Sequence, residues 1–185
     1  MTQDNVEIRK TYYPSGALWV ETPYEDGYKQ RIEKEYYESG ALSEETPYVN
    51  GNMHGIAKGY YYSSGALWRE TPYVNGRMHG IVRGYYESGA LVRETPYVNW
   101  MAQGIEKFYY ESGALLRETP YVDGEKHGIA KEYYESGTLK WETPYVRGKI
   151  HGIVKSYGKD NINIGCVTLY KINREVSILR CESHR

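Results

Sequence analysis

Residues 36–58 read YYESGALSEETPYVNGNMHGIAK, and this stretch decides the fold because the chain keeps restating it. Thr-Pro-Tyr recurs with its proline at Pro23, Pro47, Pro72, Pro96, Pro120 and Pro144, at steps of 24 or 25 residues. Ser-Gly pairs ending in Gly16, Gly40, Gly65, Gly89, Gly113 and Gly137 keep the same period. A fixed period of this length marks an array in which each repeat buries its apolar surface against its neighbours. Six such repeats account for residues 1–156, while residues 157–185 leave the pattern and are expected to form a separate C-terminal capping hairpin.

Each repeat carries two turn signals, Ser-Gly and Asn-Gly, the second varied to Asp26-Gly27, Asp123-Gly124 and Arg147-Gly148. Between them lie runs of about eight residues rich in Tyr, Val, Ile and Thr, the pattern of successive β-hairpins. No long stretch keeps an apolar period of about 3.6 residues, so crossover helices are not expected and the strands run antiparallel. The predicted fold is all-β: an elongated single-sheet antiparallel meander of β-hairpin repeats, on the order of 60 Å long. With Ser39-Gly40 central in its turn, Lys34 falls opposite Glu45 and Tyr37 opposite Leu42. The same rule opposes Lys10 with Glu21, Arg83 with Glu94, Lys107 with Glu118 and Lys131 with Glu142, each pair contributing roughly 0.2–1 kcal/mol. In the third repeat the rule fails by one residue, because Tyr60-Tyr61-Tyr62 carries an extra tyrosine, read as a β-bulge. One face then gathers Tyr37, Leu42, Thr46, Tyr48, Gly55 and Ala57, and the other holds Pro47, His54, Ile56 and Lys58.

Charge and composition narrow the partners. The chain has 185 residues, with 23 Lys and Arg against 24 Asp and Glu. Nucleic-acid backbones and anionic membrane surfaces require clustered, unopposed basic residues, so neither is an expected partner. Tyr counts 22 beside a single Phe, which suits a thin layer of rings with one wet end better than a deep core. The first residues are polar and no run approaches the ~18 apolar residues of a membrane span, which makes the cytoplasm the expected compartment. The tail alternates Ile162, Ile164, Cys166, Thr168, Tyr170 and Ile172, turns at Asn173-Arg174 and returns through Val176, Ile178 and Arg180. This register sets Cys166 against Cys181, which makes a disulfide geometrically conceivable, while a reducing compartment favours two packed thiols.

Chemistry-bearing residues recur too regularly for catalysis. His54, His79, His127 and His151 share one repeat position, but neighbouring copies lie about 9.6 Å apart, whereas two ligands of one zinc approach within about 4 Å. A structural place beside the turn is therefore expected, and no metal. Glu21, Glu45, Glu70, Glu94, Glu118 and Glu142 form a ladder of equal environments, whereas an acid/base pair needs unlike ones. The glycines sit singly in turns and never between a strand and a helix, so no phosphate loop or cofactor site is expected. The reading is a non-enzyme.

Where the repeats disagree, the shared fold does not dictate the residue, and those positions are open to specialisation. All four tryptophans lie there: Trp19 and Trp68 after Ala-Leu, Trp141 one residue further along, and Trp100 in a turn, with little packing reason for a large ring. Beside them stand Arg69, Arg93 and Arg117, and near the turn Met101. Trp and Arg are enriched among interface hot spots and Met at interfaces. Trp19, Trp68, Arg69, Arg93, Trp100, Met101, Arg117 and Trp141 are accordingly the expected partner-binding residues.

Strings such as YYESGALVRETPYVNW (85–100) and YVNGNMHGIAKGYY (48–61) resemble the bacterial variant of the MORN repeat. Arg31 departs from it where a second glycine is expected, Trp100 replaces the turn glycine and Gln103 replaces the histidine. The resemblance implies an extended sheet of hairpins and an antitoxin or immunity protein that occludes a toxin; the alternative is a structural scaffold that self-associates as a homo-dimer or organises at a membrane.

Overall fold

The computed structural model describes residues 6–159, 164–171 and 174–181. Among them are 21 strands and no helix, and within each compact unit neighbouring strands pair antiparallel as a hairpin meander. The chain divides into two compact units, Met1–Ala90 with Val98–Trp100 and Leu91–Tyr97 with Met101–Arg185.

One hairpin shows the plan. Arg31–Tyr36 and Leu42–Val49 pair over six residues, with Lys34 opposite Glu45 as expected. The turn differs from the expectation in two ways. The amide of Gly40 donates to the Tyr37 carbonyl, so Glu38-Ser39 are the central residues and Gly40, at φ +87°, is the left-handed residue that follows them. Then the register slips between Glu35 and Tyr36, so that Leu42 opposes Tyr36, not Tyr37. The slip is a β-bulge, with Ser43 and Glu44 together opposing Glu35. It recurs at Trp19-Val20, Trp68-Arg69, Leu116-Arg117 and Lys140-Trp141. Leu42 thereby leaves the face of Thr46, Tyr48, Gly55 and Ala57, which otherwise holds together.

The bulge is thus a property of every repeat described within one unit and not of the third alone. There the extra tyrosine lengthens the turn: Tyr61 and Gly65 bond across it, Tyr62 projects outward, and Lys58 regains Glu70 as its partner.

At the other end of each hairpin, Asn50-Gly51 both take positive φ (49° and 79°), the geometry of a two-residue turn matched to strand twist. A proline stands mid-strand at Pro47, where a missing N–H would ordinarily break the ladder. The neighbouring strand bends away at this point. The His54 amide donates to the Pro47 carbonyl, and Gly55, at φ +110°, lies so close that a Cβ would meet the proline ring at 3.1 Å. Thr-Pro-Tyr and His-Gly are therefore two halves of one packing motif.

Burial is shallow. The buried apolar side chains among the described residues are small, Ala57, Val82, Ala102 and Ala130, beside Thr22, Thr46, Thr71, Thr95 and Thr119. Tyrosines knit the repeats instead. In Tyr36-Tyr37 the first hydroxyl donates to Glu21 of the preceding repeat at 2.7 Å and the second to the Tyr60 carbonyl of the next at 2.7 Å. Both bonds require the phenolic oxygen, which accounts for the excess of Tyr over Phe.

In the tail, Ile164–Lys171 pairs with Arg174–Cys181. Arg174 lies in the strand opposite Lys171, so it is not a turn residue; Ile162, Ile172 and Asn173 fall outside the described residues. Two register shifts bring Cys166 opposite Cys181 as expected. Cys166 is disulfide-bonded, contrary to the expected thiols: cross-strand partners fall within the Cα separation that such a bond needs.

Candidate functional site

Two neighbouring rows run across the strands of each unit, on opposite faces. The first is a ladder of alternating charge: Lys10, Glu21, Lys34, Glu45, Lys58, Glu70 and Arg83 in the first unit. In the second unit it reads Glu94, Lys107, Glu118, Lys131, Glu142 and Lys155. The pairing expected within hairpins therefore also runs between them. Close approaches include Lys155 to Glu142 at 3.2 Å and Lys131 to Glu118 at 3.6 Å, both partly exposed and individually weak. Each ladder glutamate also receives a tyrosine hydroxyl, as Tyr60 gives to Glu45 and Tyr133 to Glu118. Burial, followed by these bonds to carboxylates, pushes Tyr36, Tyr60 and Tyr133 up to about 12.

The second row is built by the bulges. Two consecutive residues opposing one partner turn both side chains to the same face, so positions that alternation would separate come together. Trp68 lies over Gly59, where a Cβ would collide with its ring, and the Arg69 guanidinium stacks on that ring at 4.6 Å. In the first unit the row reads Val20, Glu35, Glu44, Gly59, Arg69 and Gly84. Glu35 and Glu44 are cross-strand partners, and burial, then the Glu44 and Glu33 charges, raise Glu35. In the second unit the row reads Arg93, Phe108, Arg117, Glu132, Trp141 and Ser156. The chain's only phenylalanine sits there between Arg93 at 5.8 Å and Arg117 at 4.5 Å.

Of the eight residues singled out from the sequence, Trp19, Trp68, Arg69, Arg93, Arg117 and Trp141 lie along this second row. Trp100 and Met101 lie at a turn, away from it. Trp100 has a packing contact after all, edge-on to Tyr73 at 5.9 Å, although its φ of +72° is a glycine-like conformation. The opposition of basic residue to glutamate seen along the ladder does not extend to this row, since Arg69 opposes Gly59 and Arg93 opposes Phe108. Residues missed from the sequence are Phe108 and Glu132, which stand in the row, and Lys126 and Tyr145, which border it; the solitary Phe among tyrosines was the available signal.

The histidine position holds the next repeat's turn. His54 Nδ1 accepts from the Asn75 amide at 3.5 Å, and Gln103, standing in for a histidine, accepts from the Asp123 amide at 2.8 Å. Among the described residues no group of three or more His, Cys, Asp or Glu is placed to hold a metal, and no helix is long and apolar enough to cross a membrane.

Hairpins in register, joined by alternating turns and by tyrosine bridges, define a β-hairpin repeat protein. The sequence profile of the MORN repeat variant matches residues 8–26, 32–50, 78–99, 102–123 and 126–147, more than half of the chain. The chain belongs to the MORN repeat variant family. Its unmatched third repeat, the one with the added Tyr62, folds as the same hairpin. No curated protein matches the chain.

Proposed function

We propose that this chain is a non-enzymatic protein-binding repeat module that recognises its partner through the bulge row. One observation supports the reading: the bulge gathers two variable residues of each repeat on one face, so a uniform framework presents a row whose chemistry changes along it. Trp and Arg in that row are residue types that dominate interface energetics, and Phe is enriched at interfaces. Family resemblance adds the particular form, an antitoxin or immunity protein that occludes a toxin.

A second reading, self-association as a scaffold, has its own observation on the opposite face. Ile8, Ile32, Ile56, Ile81, Ile105, Ile129 and Ile153 recur at one position and stay 42–53% exposed. Recurrent exposed apolar residues mark association surfaces.

The test is affinity capture with three forms of the chain: wild type, Arg93→Ala with Arg117→Ala, and Ile105→Thr with Ile129→Thr. A stoichiometric partner lost only with the arginine pair, and toxic when expressed alone, is the expected result. Recovery of nothing but the chain itself, abolished by the isoleucine pair, would replace recognition with self-association.

A further inference from the structure

Beside the second unit's row lies a cleft of about 240 Å³, bordered by Arg117, Lys126, Ala130, Glu132, Trp141 and Tyr145. It is smaller than the pockets that enclose drug-sized ligands, which begin at roughly 300 Å³, and suits a single side chain. Its charge is unbalanced. Glu132, which opposes Arg117 across the strands, is paired with Lys140 at 2.7 Å, and neither Arg117 nor Lys126 makes an ion pair among the described residues. The Arg117 guanidinium lies over Phe108 at 4.5 Å, and its N–H groups donate no hydrogen bond within the described residues. Its Nε is buried without a hydrogen-bond partner, so an incoming acceptor meets the guanidinium at its Nη groups. Lys126 Nζ sits over the Tyr145 ring at 5.1 Å, and Trp141 supplies an apolar wall.

We infer that this cleft receives an acidic side chain of the partner protein, its carboxylate bridging Arg117 and Lys126 and its methylenes lying against Trp141. A planar carboxylate matches the two Nη–H groups at the outer end of the guanidinium, two parallel bonds that an ammonium cannot reproduce. The inference rests on the recognition reading above and names the chemistry of the partner's anchoring residue.

The experiment follows the Arg117 Nε–H resonance of the whole ¹⁵N-labelled protein while a blocked peptide, N-acetyl-Leu-Glu-Leu-amide, is added, beside its Gln counterpart and inorganic phosphate. The Glu peptide is expected to shift this resonance saturably and the Gln peptide to bind about tenfold more weakly or worse, the loss of a charge-assisted pair. Arg117→Lys should weaken binding of the Glu peptide by a similar factor, and Lys126→Gln, at a half-buried edge position, severalfold without disturbing the fold. Equal responses to the Glu and Gln peptides would overturn the inference, as would phosphate acting at lower concentration than the peptide. Should the Glu peptide bind as expected while the arginine-pair variant still captures its partner, the cleft stands and the recognition reading falls; the reverse pattern condemns the cleft alone.

Discussion

The ladder row and the bulge row share the same strands, yet one repeats its chemistry and the other does not. Along the ladder, Lys34–Glu45 and Lys131–Glu142 are interchangeable pairs. Along the bulge row, Glu35–Glu44 corresponds to Phe108–Arg117. The first arrangement serves the array's own cohesion, since each residue answers to neighbours on both sides. Freedom in the second comes from a backbone device that exposes two residues where a regular strand would expose one.

The contrast breaks most severely where the framework loses its glycine. Gly128 holds φ +109°, and a Cβ there would meet the Pro120 ring at 3.0 Å; Gly128→Ala should cost about 3 kcal/mol in urea unfolding. Arg31 occupies the equivalent place at φ +64°, so Arg31→Gly should change stability by about 1 kcal/mol at most, strain relief offsetting the lost Glu25 ion pair. Lys131→Glu sets like charges against Glu118 and Glu142 together. It should destabilise by about 1–2 kcal/mol, against less than about 0.5 for Lys126→Glu, which has no ladder neighbour; equal midpoints would refute the ladder.

Tyr133→Phe removes one bridge and should cost about 1 kcal/mol at neutral pH. The tyrosine also sets a pH dependence. Its value of about 12 in the fold exceeds that of an unfolded tyrosine, so its contribution is whole below about pH 10 and is lost as pH rises to about 12. The alkaline fall in stability should accordingly flatten in the variant. Smallest is Glu35→Gln in the variable row. Glu35 is raised in the fold, so ionising it lowers stability as pH climbs past the ordinary glutamate range. The variant should gain about 0.5 kcal/mol at pH 7 and nothing at pH 4, by thermal melts at each pH.

Much of this was legible in the sequence because the period is strict. Pro and Gly spacings defined the hairpins, and Lys/Arg–Glu spacing set the ladder register. The bulge was not legible: Trp68 and Arg69 are adjacent in sequence, and alternation assigns adjacent residues to opposite faces unless a register slip intervenes. Variable positions could therefore be recognised without showing that they converge on one row. The tyrosine bridges were hidden for another reason, since they reach between repeats and leave only a compositional trace, 22 Tyr to one Phe.

Tyr62 carries an implication for how such arrays change over generations. An added residue at the Ser-Gly end is taken up by the turn, and Lys58 still meets Glu70. Each hairpin resets its own reading frame, so that end of the repeat can receive insertions one at a time without propagating an error to the next. Grafted loops belong there, and deletions in the strands do not.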